Sequence, residues 1–94
     1  MSRPTAGAPI AVALVEDHRM VRDSLAHSLD ELPDIEVVAA TATLADIEAL
    51  ETLPDVLLLD LDLDGRSADP AAVARLRAGG VQVVIVSALA HPAL

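Results

Sequence analysis

The chain contains no cysteine, no phenylalanine, no tryptophan and no tyrosine among its 94 residues. Without cysteine there is no disulfide, no thiolate metal site and no thiol nucleophile. Without aromatic rings there is no platform on which a nucleic-acid base can stack, and any core must be aliphatic. Lysine is absent too, so the six basic residues are all arginines; they face fifteen acidic residues, for a net charge of −9. A duplex or an anionic membrane surface repels such a chain, which argues against nucleic acid or membrane as a partner of this chain alone. The acidic balance suits a metal cation or a basic partner surface instead. Long apolar runs are also missing. Even Ile10–Val15 is far too short to cross a bilayer, and a cytoplasmic location is the default expectation.

What the chain does have is an apolar content of 53% and a mean hydropathy of +0.50, which argue against disorder. Its length allows one small domain. The segment 1–9, rich in Pro, Gly, Ala, Ser and Thr, is expected to be a flexible tail, with the domain running over 10–94.

Hydrophobic spacing divides that domain into alternating elements. Ile10–Val15 reads as a strand buried on both faces, ending abruptly at Glu16-Asp17. Met20, Val21, Leu25, Leu29 and Leu32 then fall at helical spacing, with Asp17 as the expected N-cap and Pro33 as a stop. Ile35–Ala40 is a β-branched second strand. Thr43 is placed to cap a helix carrying Leu44, Ile47 and Leu50 on one face, which ends before Pro54. Val56–Leu59 is a third buried strand, closed by Asp60. After the polar loop 60–69, Pro70 opens a helix to Arg77 that Ala78-Gly79-Gly80 ends. Val81–Val86 is a fourth strand, followed by Ser87. The order β-α-β-α-β-α-β with short connections predicts a parallel α/β sheet with right-handed crossovers.

Three of these strands end in a chemically useful side chain: Glu16-Asp17, Asp60 and Ser87. The carboxyl ends of strands in an open parallel sheet frame the crevice where ligands bind. Glu16, Asp17 and Asp60 are therefore expected to converge, and clustered carboxylates repel unless a cation neutralises them. An all-oxygen ligand set suits Mg²⁺.

The segment Ala13-Leu14-Val15-Glu16-Asp17-His18-Arg19-Met20-Val21-Arg22-Asp23-Ser24-Leu25 resembles the first strand, acidic pair and first helix of response-regulator receiver domains of the NarL/FixJ subfamily. Leu32-Pro33-Asp34-Ile35-Glu36-Val37-Val38 is similar to their second strand. Pro54-Asp55-Val56-Leu57-Leu58-Leu59-Asp60-Leu61-Asp62-Leu63-Asp64-Gly65 is similar to the third strand with its phosphorylation site. Val83-Val84-Ile85-Val86-Ser87-Ala88 is similar to the fourth strand with its switch hydroxyl. The resemblance implies a flavodoxin-like, CheY-like doubly wound sheet, truncated to four strands in the order 2-1-3-4 and three helices. It implies Asp60 as phosphoacceptor and Ser87 as the hydroxyl that contacts the phosphoryl group. It further implies Mg²⁺ held by Glu16, Asp17, Asp60 and the backbone carbonyl of Asp62, a sensor histidine kinase upstream, and a transcriptional output through a DNA-binding domain outside this chain. The uncovered apolar faces or the strand-four edge of so short a domain lead to an expectation of self-association. Two departures bear on function. The lysine that such domains carry at the end of strand five has no counterpart, and Leu63-Asp64 replaces the common Met-Pro.

Plainer readings accompany each candidate. Asp17 can simply cap a helix, Asp62 and Asp64 can be an acidic surface loop, and Ser87 can cap a short helix. His18, His27 and His91 do not have the spacing of a metal triad; His18 is placed at the pocket rim. Arg19 and Arg22 read as a solvated helix face, and Arg75 and Arg77 as favourable charges at a helix C-terminus. A degenerate receiver-like interaction module, without phosphorylation, is the alternative function. A third class is a haloacid-dehalogenase-like phosphatase, whose first motif Leu57-Leu58-Leu59-Asp60-Leu61-Asp62 resembles. The expected threonine after that motif is missing, as is any lysine.

Overall fold

A computed structural model describes residues 8–60 and 69–86. Within them the chain runs β1 (Ile10–Val15), α1 (Arg19–Asp30), β2 (Ile35–Thr41), α2 (Leu44–Glu48), β3 (Val56–Asp60), α3 (Pro70–Ala78) and β4 (Gln82–Val86). The strands form one parallel sheet in the order β2-β1-β3-β4. This is the flavodoxin-like order that the sequence led us to expect.

The order has a physical consequence for the helices. The chain steps from β1 outward to β2 through α1, then doubles back across β1 to β3 through α2. With right-handed crossovers, that reversal puts α2 and α3 on the face opposite α1. Along β1 and β3 the side chains alternate between the two faces. Ala13, Val15, Leu57 and Leu59 form one buried cluster with Leu44 and Ile47 of α2, Ala72 and Leu76 of α3, and Val81. Val12 and Leu14, of opposite parity, are buried on the other side, where α1 packs over β2 and β1.

Local signals explain most element ends. Thr43 caps α2 by accepting from the Asp46 amide, 3.3 Å away, and Asp69 caps α3 by accepting from Ala71 at 3.0 Å. Pro70 stands in the first turn of α3, where its missing N–H costs nothing. Gly80 adopts φ 98°, a left-handed conformation that disfavours side chains with a Cβ, and turns the chain into Val81 and β4. At the amino ends of the strands, Asp55 joins β1, β3 and β4. Its amide donates to the Ala11 carbonyl, its carbonyl accepts from Gln82, and its carboxylate accepts from the Ala11 amide at 2.9 Å.

Three expectations are corrected, and β2 holds a feature that the sequence did not announce. Asp17 does not cap α1: the cap position belongs to His18, whose side chain makes no capping bond, because Asp17 is engaged among the strand-end carboxylates. β4 begins at Gln82, and Val81 is drawn into the core just before it. The α1 residues Met20 and Val21, spaced as a core stripe, are exposed. β2 carries an irregularity: Val12 pairs with Val37 but Ala13 with Ala39, so Val38 has no partner on β1 and is exposed. That extra residue restores Ala39 to the face packed against the buried cluster.

Of the terminal tail expected at 1–9, residues 1–7 lie outside the described residues, as do Asp62, Asp64, Ser87 and His91.

Candidate metal and phosphoacceptor site

β1 and β3 are neighbours at the point where the strand order reverses. Val15 is level with Leu59 across this pair, so the chain beyond them brings Glu16 and Asp60 to the same height, about one strand spacing of 4.8 Å apart. The register of two parallel strands thus joins residues 44 positions apart. Glu16, Asp17, His18 and Asp60 each offer a donor atom, and these atoms all lie within 4.8 Å of one another.

Burial makes this cluster unusual for a surface of acidic residues. Glu16 is 2% exposed and Asp60 4%, the two buried charged residues among those described. Carboxylates held this close and this dry repel one another, and the fold tolerates them only with compensating partners. Part of the compensation is local. Glu16 Oε2 accepts from the His18 amide at 2.9 Å and lies 2.7 Å from His18 Nδ1. The same nitrogen is 3.2 Å from Asp17 Oδ1, an ion-pair contact without hydrogen-bond geometry. The bond to Glu16 foremost, then the charge of Asp17, holds the His18 imidazole protonated above its ordinary range. Arg22, one turn into α1, donates from Nη1 to the Glu16 carbonyl at 2.9 Å, which ties the helix to the end of β1.

The structure therefore brings Glu16, Asp17 and Asp60 together as expected from the strand ends. It adds His18, which the sequence reading placed only at the rim of the pocket, and Arg22, which it read as a solvated helix face. His18 is a member of the donor cluster and not merely a rim residue, and its adjacency to the acidic pair was the available signal. Arg22 is not a solvated face residue; its guanidinium is spent on a backbone carbonyl, which no pattern of side chains announces. Arg19, by contrast, is solvated, with Asp23 at 3.9 Å. Arg75 also has a specific partner, Glu48 of α2, in a two-pronged contact of 2.7 and 3.2 Å.

The donor set fits a divalent cation. Buried carboxylates from two strands supply hard oxygen ligands, and a cation there relieves their mutual repulsion. Carboxylates at the carboxyl ends of β1 and β3, in a parallel sheet ordered β2-β1-β3-β4, are the arrangement that the resemblance to response-regulator receiver domains led us to expect, and the sequence similarity of this chain to two proteins supports a receiver domain. The chain is 45% identical over 58 residues to the transcriptional regulatory protein LiaR of Bacillus subtilis, a match covering 60% of this chain and 28% of LiaR. It is 34% identical over 56 residues to protein-glutamate methylesterase/protein-glutamine glutaminase 2 of Rhizobium johnstonii, covering 57% of this chain and 15% of that protein. The chain thus spans less than a third of either relative. No family model matches it. No helix among the described residues is long and apolar enough to cross a membrane.

Proposed function

We propose that this chain is a phosphoacceptor receiver domain in which Asp60 takes a phosphoryl group. The observation that carries the reading is the burial of Asp60 at the end of β3 beside Glu16 and Asp17 from the end of β1. One Asp60 carboxylate oxygen attacks the phosphorus of a phosphohistidine or a small phosphodonor. The new O–P bond forms as the donor's bond to phosphorus breaks, and the departing imidazole or acid keeps the bonding pair and takes up a proton where needed. Glu16, Asp17 and Asp60 are the described residues that would hold Mg²⁺, with the Asp62 carbonyl added by resemblance. When bound, the cation neutralises charge on the transferring group. Ser87 is assigned by the same resemblance to hydrogen-bond a phosphoryl oxygen and couple the site to the loop after β4.

In this reading the donor is a sensor histidine kinase and the location cytoplasmic. The output is control of transcription through a DNA-binding unit outside this chain, in keeping with the similarity to a transcriptional regulatory protein. The chain itself is an acceptor and not an enzyme acting on other substrates. Self-association belongs to the proposal because apolar residues stand exposed on the described surface, Met20 at 84% and Ile85 at 52%. Light scattering that finds only a monomer at tens of micromolar removes that part. The alternative reading is a receiver-like interaction module that is never phosphorylated.

The test is intact-mass spectrometry after incubation with Mg²⁺ and a small phosphodonor. We expect one added phosphoryl group in the native chain and none in Asp60→Asn. Label persisting in that variant moves the acceptor elsewhere. No label on a demonstrably folded native chain selects the interaction module.

A further inference from the structure

His18 is the one nitrogen donor in the strand-end cluster, and its position suggests more than a partner for Glu16. Its Nδ1 is 2.7 Å from Glu16 Oε2 and 3.2 Å from Asp17 Oδ1. Two ligands on one cation at metal–ligand distances of about 2.1 Å lie about 3.0 Å apart when octahedral neighbours and about 3.4 Å apart in a tetrahedron. The 3.2 Å to Asp17 falls between these spacings; the 2.7 Å to Glu16 is a hydrogen bond that lengthens by a few tenths of an ångström when both atoms face one cation, and Asp60 offers its donor atom within 4.8 Å of all three. The His18 ring is itself 54% exposed, so on ligation the Nδ1 proton is released to solvent while Nε2 keeps its own proton, hydrated.

A mixed nitrogen and oxygen donor set is chemically distinct from the all-oxygen set expected from the sequence. Mg²⁺ favours oxygen ligands, retains water and gains little from an imidazole. Zn²⁺ and its first-row neighbours bind imidazole well. We propose that His18 is a specificity-determining ligand of this pocket, contributing Nδ1 to a first-row transition cation bound with Glu16, Asp17 and Asp60, while Mg²⁺ uses the carboxylates alone. The proposal rests on the strand-end cluster being a cation site, and makes cation choice depend on a residue outside the acidic set. Since Zn²⁺ outbinds Mg²⁺ at most sites of this kind, a simple preference for Zn²⁺ proves nothing. What distinguishes the proposal is the dependence of each cation on His18.

The experiment is calorimetric titration of the folded chain with Zn²⁺ alone and with Mg²⁺ alone, at fixed mildly alkaline pH, for the native protein, His18→Gln and Asp60→Asn. The same three proteins are repeated on a His27→Gln background, because His27, 3.2 Å from Glu31 on α1, offers a competing surface site. We expect His18→Gln to weaken Zn²⁺ about tenfold or more and to leave Mg²⁺ within about twofold, while Asp60→Asn weakens both. Imidazole nitrogen spectra read the contact directly: Zn²⁺ should move the His18 Nδ1 resonance and Mg²⁺ should not. Unchanged Zn²⁺ affinity in His18→Gln, or an unmoved Nδ1 resonance, overturns the role of His18 while leaving the carboxylate site standing. Equal losses of both cations in His18→Gln also overturn it, because they mark a residue that only positions Glu16. If Asp60→Asn alters neither affinity, the underlying site reading falls and the His18 assignment falls with it.

Discussion

On one face of the sheet, Ala13, Val15, Leu57 and Leu59 are sealed beneath α2 and α3; on the other, α1 covers β1 and β2 without burying any residue of its own. The two faces are built from the same aliphatic alphabet. Helix number and mutual support distinguish them. α2 and α3 pack against each other as well as against strands, and Glu48 and Arg75 link them at 2.7 Å. Each helix thereby walls in the apolar stripe of the other. α1 has no helical neighbour among the described residues, so Leu25 and Leu29 are half-buried and Met20 and Val21 face water. An amphipathic stripe is sealed by neighbours on both sides, and its spacing alone does not supply them.

This contrast is open to direct attack. Leu57→Ala, in the sealed cluster, should cost about 2–5 kcal/mol. The readout is urea unfolding followed by far-ultraviolet circular dichroism, since the chain has no aromatic fluorophore. The same truncation at half-buried Leu25 of α1 should cost about 1 kcal/mol. Equal losses at the two positions would erase the distinction between the faces. Asp69→Ala removes the side-chain cap of α3 and should cost about 1 kcal/mol, with faster amide exchange at Ala71 as the local sign. The N-terminus of α1 has no such side-chain bond to lose.

The smallest effect concerns the link between α2 and α3. Arg75 lowers the Glu48 carboxyl below its ordinary value of 4.5, chiefly through their hydrogen bond. A lowered folded-state value means the contact stabilises the fold above the ordinary carboxyl range and loses that contribution as pH falls through the lowered value. Glu48→Gln should therefore melt slightly below the native chain at neutral pH, and the difference should close on acidification. A difference in melting temperature that is constant across the titration would assign the effect to packing and not to charge.

The strand-end site shows a second division. Glu16, Asp17 and Asp60 were legible because each closes an apolar run, and parallel strands in such a sheet deliver their ends to one rim. His18 was legible only as a rim residue, and Arg22 not at all as a contributor. A histidine beside two acids and an arginine on a helix have many unremarkable uses, and only coordinates place Nδ1 between two carboxylates or a guanidinium on the Glu16 carbonyl. The misread cap has the same origin. Asp17 has the right chemistry for an N-cap, but a side chain makes one set of contacts at a time, and this one stays with the strand-end cluster.

By itself the sequence determined the alternation of strands and helices, the parallel class of the sheet and the three carboxylates at strand ends. Those features follow from local periodicity, turn chemistry and chain direction, which short stretches of residues carry on their own. The tertiary structure decided the remainder: the unpaired Val38 that brings Ala39 back to the core face, the unequal sealing of the two sheet faces, and the entry of His18 into the acidic cluster. Each of these depends on the register of one element against another. Register is set by which surfaces fit across the sheet, and no single segment contains that information.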